Sequence, residues 1–211
     1  MPQHGEKKAG GMTYQTLEGA RTSALNPYLE GQDNQSQWLI FKRNQDYYIA
    51  SADKTIARLK LTKTRVKCTE ISGKQYLMLM DKISKGLNWL KALKNEIKST
   101  DSNQDLQAVI SYKKWHAVKL IPSAAEGYAI ANAINIKINQ LNIIQNNLTY
   151  KKQLEDAISH NKLAENIFSY LLNLEETSDF SNAEKRRIEG FEEIGTAQIL
   201  VNSIQRSVKS L

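Results

Sequence analysis

The chain has 211 residues, of which 41% are hydrophobic and 24% are charged, the composition of a globular protein with room for one good core or two small ones. Its net charge of +7 is uneven, because residues 1–120 carry +9 and residues 121–211 carry −2. A single cysteine excludes a framework of internal disulfides, and the lack of a long apolar run or an apolar leader predicts a cytoplasmic protein with no membrane span.

The first 37 residues are mostly polar. Residues 1–11 contain three glycines and a proline, and we expect them to be flexible. A short helix is predicted from about Thr13 to Leu25, and Pro27 ends it because the residue before a proline is biased out of the helical region. Residues 30–37 have the composition of a loop.

Residues 38–69 have the pattern that most resembles strands. Trp38–Phe41 and Tyr47–Ile49 are short aromatic and branched runs, and the polar residues between them are typical of a hairpin turn. A third run, Ala57–Thr69, contains Thr and Val, which favour a pleated surface. We therefore predict a small antiparallel β meander, with a helix from Ser51 to Leu61 as the competing interpretation.

From residue 72 onward, apolar residues recur every three or four positions, which predicts helices. Four serines are followed three residues later by Gln, Glu or Asp, and such pairs cap the first turn of a helix. One of them is the poorest candidate, since its Asp is shorter than Glu. The pairs are Ser72/Gln75, Ser123/Glu126, Ser181/Glu184 and, as the poorest, Ser102/Asp105.

This pattern gives four or five helices. Pro122 ends the second of them, because proline removes a backbone donor and clashes with the preceding turn. A strand through Trp115 to Ile121 is the alternative for the end of that helix. A single helix over 124–176 would be far longer than usual, so we expect either a break near 146–150 or a long exposed rod, and a bend near 159–161 is a further alternative. The predicted ranges are about 73–98, 104–121, 124–176 and 182–209.

These elements predict a mainly α protein of the α+β type. A small N-terminal antiparallel β meander is followed by an elongated bundle of four to five helices. The predicted domain organisation is a flexible N-terminus over 1–11, a small basic α+β region over 12–70 and a helical bundle over 71–211.

Motifs for catalysis or metal binding are missing from the sequence. Asp156 and His160 lie one helical turn apart, but two ligands do not make a metal site. Ser72-Gly73-Lys74 lacks most of a phosphate-binding loop, and Cys68 is interpreted as a small buried apolar residue. We therefore expect a non-enzymatic protein with no cofactor and no metal.

A run of cations without acids lies in the strand-like region. If this segment is a strand, Lys63, Arg65 and Lys67 share one face, where cations would meet phosphates and nearby aromatic rings would stack on bases. A solvated cationic surface is the simpler interpretation, and an acidic protein face would also satisfy these charges. The candidate polyanion-binding residues are Lys54, Arg58, Lys60, Lys63, Arg65 and Lys67.

Asparagines recur at helical spacing between positions 132 and 146, with isoleucines beside them. Each amide both donates and accepts, so such a stripe can fix the register of an interhelical contact. A solvent-facing polar stripe is the simpler interpretation. An apolar seam near the C-terminus has the same spacing. The candidate helix-interface residues are Asn132, Asn135, Asn139, Asn142, Asn146, Ile136, Ile143, Ile194, Val201, Ile204 and Val208.

These features predict an interaction or adaptor subunit of a larger multiprotein assembly, for example a secretion machine. It would contact other proteins, in a hetero-complex, through its long C-terminal helices. The alternative is a nucleic-acid-binding subunit, such as a coat component, that uses residues 54–67. An enzyme would need a pocket that joins distant polar residues.

Overall fold

The computed structural model describes residues 34–71, 73–144, 150–175 and 178–209. Within these ranges the chain is mainly helical and has no strand, which confirms a mainly α protein. The predicted flexible start and the predicted helix over 13–25 lie outside the described residues. The helices are α1 (Asn34–Lys67), α2 (Gly73–Lys98), α3 (Asn103–Val109), α4 (Tyr112–Ile144), α5 (Lys151–Leu172) and α6 (Ala183–Lys209).

The chain divides into two units, residues 1–43 and residues 44–211. In the described part of the first unit, the Lys42 ammonium lies over the rings of Trp38 and Phe41. In the second unit, residues 44–67 belong with the five later helices. The predicted division had placed residues 12–70 in a region of their own.

Helix α1 occupies the segment where the β meander was predicted, and the competing helix from Ser51 to Leu61 lies within its longer range. The threonines that suggested strands are compatible with a helix because their hydroxyls bond to carbonyls of the preceding turn. Thr55 Oγ1 donates to the Ser51 carbonyl at 2.9 Å, and Thr64 Oγ1 donates to the Lys60 carbonyl at 3.3 Å. The buried side of this part of α1 has helical spacing and consists of Gln45, Ala52, Thr55, Ile56, Leu59, Thr62 and Val66.

Helix α2 has the predicted bounds, but the second predicted helix is two helices, α3 and α4. The chain leaves the helical conformation at Ile110, whose backbone is extended (φ −85°, ψ 100°). Pro122 lies inside α4 and does not end it, and residues 115–121 are helical, not a strand. A proline inside a helix costs about 3 kcal/mol or more. Burial along α4 on both sides of this position offsets that cost.

Helix α4 packs against four other helices. Near its start, the Trp115 ring makes edge contacts with Tyr48 of α1, at 6.3 Å between centroids, and with Trp89 of α2, at 6.1 Å. Farther along, it packs against α5 and α6. The Asn161 side chain of α5 donates to the Ala131 carbonyl at 2.9 Å. Helix α4 is therefore buried on more than one side by other helices of the same chain.

The predicted break in the long segment after Pro122 lies between α4 and α5. Helix α4 ends at Ile144, and α5 begins at Lys151 and runs back antiparallel to it, while residues 145–149 lie outside the described part. Helix α5 continues through residues 159–161. The alternative of one long exposed rod over 124–176 is therefore wrong.

Phe168 fills the space between three helices. Its ring is fully buried and lies against Gly127 of α4 and Gly190 of α6. A Cβ atom at Gly127 would overlap the ring, and one at Gly190 would lie 2.9 Å from Cζ. Phe191 meets the same ring edge-on, with 4.9 Å between centroids. The two glycines therefore let α4 and α6 approach α5 closely.

Helix capping differs from the prediction. The pair judged poorest forms a cap, because Ser102 Oγ accepts from the Asp105 amide at 3.1 Å. Ser123 lies inside α4, and the Ser181 hydroxyl donates to Asp179 before α6 begins. Ser72 lies outside the described residues. A serine three residues before an acid therefore predicts a helix cap only weakly. It forms one here only where the preceding residues are not helical.

Candidate anion-binding and apolar grooves

Helix formation divides the basic segment between two opposite faces of α1. At about 100° per residue, Lys54, Arg58 and Arg65 fall within about 40° of one another. Lys60, Lys63 and Lys67 fall on the opposite side. The single face predicted for Lys63, Arg65 and Lys67 is therefore not formed.

One of these faces forms a cationic groove with α4. Lys54 and Arg58 of α1 and Lys119 of α4 line a space of about 440 Å³. Arg65 lies farther along the same face, where its guanidinium pairs with Glu126 at 3.1 Å. No acidic residue is among the described residues that line the groove. The complete lining is Tyr47, Ala50, Ser51, Lys54, Thr55, Arg58 and Lys119.

The cations of the groove repel one another. Burial lowers the pKa of Lys119, and the positive charge of Lys54 lowers it further. The Lys119 ammonium lies 5.3 Å from the centroid of the Trp115 ring, which provides a cation–π contact. The pKa of Glu184 on α6 is lowered mainly by a hydrogen bond from Arg187. The positive charge of Arg58 lowers the same pKa to a smaller extent.

A second groove, of about 480 Å³, has an apolar floor. It lies between α2 and α4 and is closed by the end of α5. Trp89 forms part of its wall, and the Lys114 ammonium lies 5.5 Å from the Trp89 ring centroid. At its rim, Lys85 pairs with Asp81 at 2.7 Å on the exposed surface. Its lining is Lys82, Lys85, Gly86, Trp89, Lys114, Ala117, Val118, Ile121, Leu172, Leu174 and Glu175.

Two of the predicted asparagines take part in contacts within the bundle. Asn132 is buried, and its amide donates to the Tyr128 carbonyl at 3.0 Å. Asn135 accepts from Asn161 of α5 at 2.7 Å and donates to Glu165 at 3.1 Å. Burial raises the pKa of Tyr128, and the charge of Glu165 raises it further. This amide cluster joins α4 to α5 of the same chain.

The stripe becomes exposed toward the end of α4. Asn139 is exposed and Ile136 is half-buried. The side chains of Asn142 and Ile143, and the whole of Asn146, lie outside the described part of the chain.

The C-terminal seam is also used inside the chain. Ile194, Val201 and Ile204 are buried, and Val208 is half-buried. Packing among α4, α5 and α6 accounts for their apolar character without a partner protein.

The candidate metal ligands and the cysteine form no common site in the described part of the chain. The His160 ring bonds to Glu193 of α6 and forms no described contact with Asp156. Cys68 is exposed, which corrects its interpretation as a buried apolar residue. In the part of the chain that the structure describes, no group of three or more His, Cys, Asp or Glu side chains could hold a metal ion.

Sequence reasoning missed Lys119, Trp89 and Asn161. Lys119 joins the basic segment only through tertiary packing, since it lies more than 50 residues along the chain. The spacing of Trp115 and Lys119, one helical turn apart, was the signal that could have placed a cation beside an aromatic ring.

Comparison with known proteins adds no family to this description. No family model matches the chain, and no curated protein or solved structure matches it. None of the described helices contains an apolar stretch long enough to cross a membrane.

Proposed function

We propose that the protein is a non-enzymatic interaction subunit of a larger multiprotein assembly, and that its apolar groove receives a segment of a partner protein. The observation that carries this proposal is an apolar, concave surface at the junction of three helices. The sequence predicted that partners would bind the long C-terminal helices. We propose the apolar groove instead, because Ile194, Val201 and Ile204 of α6 are buried within the chain.

The shape and lining of the apolar groove support this role. Trp89, Ile121 and Leu172 provide side chains against which an inserted apolar residue would lose its water. Aromatic side chains in concave sites are typical anchors of protein interfaces. Gly86 permits the close approach of α2, because a Cβ there would lie 3.2 Å from Ile121 Cδ1.

The rim of the groove indicates the chemistry of the partner. Three lysines, Lys82, Lys85 and Lys114, outnumber the one acid among the described lining residues, Glu175, and one of them, Lys85, is paired with Asp81 at the rim. Opposite charges around an apolar contact favour encounter and fix register. The proposed partner segment is therefore an amphipathic helix with apolar anchors and acidic flanks.

Photo-crosslinking tests this proposal. A photo-crosslinking amino acid in place of Lys85 should capture a specific partner, and an added Ile121→Lys substitution should abolish that product. The control is Ile199→Lys, since Ile199 is 71% exposed on α6 and does not line the groove. The same crosslinked product in all three proteins would contradict the proposed surface.

A second candidate function is nucleic-acid binding by α1, supported by the acid-free lining of the cationic groove. Phosphate contacts would make binding fall steeply with salt. Charge reversal at Lys54 and Arg58 should weaken binding to a single-stranded oligonucleotide more than reversal at Lys60 and Lys63. Undetectable binding at low salt would exclude this function.

A further inference from the structure

The cationic groove brings together three positive side chains from two helices that are distant in sequence. Lys54 and Arg58 lie one turn apart on α1, and Lys119 comes from α4. Two ion pairs of α1 lie outside this lining: Arg65 pairs with Glu126 of α4, and Asp53 pairs with Lys94 of α2. The groove therefore concentrates positive charge where its own lining offers no counter-charge.

We propose that this groove is a binding site for a phosphate group, which Arg58, Lys119 and Lys54 hold together. This proposal assigns the nucleic-acid binding considered above to a defined phosphate site. The same site could also bind the phosphate group of a small ligand. It does not depend on the proposed partner of the apolar groove.

A phosphate group matches these side chains better than a carboxylate does. A phosphate monoester carries a charge of −1.5 to −2 and has three acceptor oxygens, whereas a carboxylate has one charge and two oxygens. The guanidinium of Arg58 can donate two parallel hydrogen bonds to such oxygens, while the two ammonium groups act as compact charges. Three cations around a monoanion would leave an excess of positive charge.

The remaining polar groups of the groove are compatible with this ligand. The Thr55 hydroxyl donates to the Ser51 carbonyl, so it is committed to the helix. Ser51 and Tyr47 also line the groove, and both residue types carry a hydroxyl that can donate to an anion. The volume of about 440 Å³ is within the range of small-molecule sites, about 300–1,000 Å³. A ligand larger than the phosphate itself would therefore fit.

The electrostatics of Lys119 support the same interpretation. Its pKa is lowered by burial and by Lys54, so the surroundings of Lys119 disfavour its positive charge. The charged groups around it are Lys54 and Arg58 on α1 and, acting on Arg58, Glu184 on α6. A bound dianion would favour the charged form of Lys119 and relieve the repulsion from Lys54.

The test is a binding titration of the full chain at low salt with four probes. They are inorganic phosphate, acetate, a glutamate-rich peptide and a single-stranded oligonucleotide. The groove variant combines Arg58→Gln with Lys119→Met. The matched control combines Lys60→Gln with Lys63→Met, which removes the same charge from the opposite side of α1. Circular dichroism verifies folding, and the single variant Lys54→Gln, at an exposed position, provides a second test.

Wild-type protein should bind phosphate more tightly than acetate. The groove variant should lose roughly tenfold or more in phosphate affinity, since each lost contact is a charge-assisted hydrogen bond. The control should retain its affinity. No phosphate binding, equal losses in both variants, or binding of the peptide in preference to phosphate would overturn the site. Phosphate binding at the groove without oligonucleotide binding would support the site and exclude the nucleic-acid function.

Discussion

Phe168 and its two flanking glycines set how closely three helices approach one another. Its ring is in contact with the backbone of α4 at Gly127 and of α6 at Gly190. Protein cores tolerate added atoms poorly where neighbouring groups cannot move, and a ring enclosed by two helices has little freedom to move. Side-chain volume at these positions should therefore control stability more strongly than helix propensity does.

Gly127→Ala should destabilise the protein by about 1–3 kcal/mol, because the added methyl group overlaps the Phe168 ring. Urea unfolding measures the loss. Phe168→Leu removes the overlapping ring atoms, so the two substitutions together should cost less than the sum of their separate effects.

Gly195→Ala is the matched control for this prediction. Gly195 also lies inside a helix, but a Cβ there has no other atom within 4 Å. The substitution should stabilise the protein by roughly 0.5–1 kcal/mol through helix propensity alone. If Gly127→Ala and Gly195→Ala stabilised the protein equally, the close contact between Gly127 and the Phe168 ring would be contradicted.

The lowered pKa of Lys119 predicts a dependence of stability on pH. The folded protein loses this proton at lower pH than the unfolded chain does, so unfolding takes up a proton between the two pKa values. Stability should therefore rise with pH up to the ordinary lysine range. Lys119→Met should be more stable than wild type at neutral pH, and its advantage should shrink as pH rises. A constant difference in urea unfolding across this range would contradict the prediction.

At the scale of elements, helix α1 shows where the sequence was ambiguous. Ala52, Leu59 and Val66 recur every seven residues, and Thr62 completes a helical stripe. The same stretch contains threonine and aromatic residues in the proportion typical of strands, and local composition could not decide between the two. Packing against α2 and α4 decides it, and that contact joins residues more than 40 positions apart.

Gln45 gives a test of the helical form of α1. Its side-chain amide is buried and donates to the Ile97 carbonyl at 2.8 Å and to the Thr100 carbonyl at 3.2 Å, at the end of α2. Gln45→Ala should cost about 1–3 kcal/mol in urea unfolding, because it removes two buried hydrogen bonds to the end of α2, although the Ile97 carbonyl keeps the Thr100 hydroxyl as a donor. In the predicted meander the same residue lies in an exposed turn, where its loss would have no effect.

The control for Gln45 is Gln153→Ala. Gln153 is exposed on α5, and its replacement should change stability by less than about 0.5 kcal/mol. Similar effects at both positions would argue against the buried contact.

The later helices were predicted better than α1 because their apolar residues recur every three or four positions over long stretches. Residues typical of strands do not interrupt that spacing as they do in α1. The bounds of α2 follow from a regular apolar seam whose last member, Ile97, is one residue before the end of the helix at Lys98. The contacts of Asn132 and Asn135 could not be predicted, since a stripe on one helix does not reveal which helix covers it. The two grooves were also inaccessible to sequence reasoning, because each is assembled from at least two distant helices.

At the scale of the second unit, α4 links two groups of helices. Its start contacts α1 and α2, and its later part packs with α5 and α6. Because both groups bury parts of the same helix, loss of either group exposes apolar surface that the other cannot cover. Residues 44–209 should therefore unfold as one cooperative unit.

Two probes on different helices test this cooperativity. Fluorescence of Trp89 and Trp115 reports on the group formed with α1 and α2, and Trp38→Phe removes the exposed third tryptophan from the signal. Amide hydrogen exchange of α5 and α6 reports on the other group. The two should show a single transition in urea, and Gly127→Ala should shift both to the same extent. Separate midpoints would show that the groups fold independently.

The middle of α4 also has a consequence for how this protein can change over evolutionary time. Nearly every position over 124–134 is buried or half-buried, so this segment has little surface on which substitutions could accumulate freely. In a saturation library selected for folding, its small residues should accept almost no larger side chain, while the outer faces of α5 and α6 diverge. The buried small residues of this segment are Ala124, Ala125, Gly127, Ala129 and Ala131. Relatives too distant to recognise by overall identity should still preserve this run of small side chains.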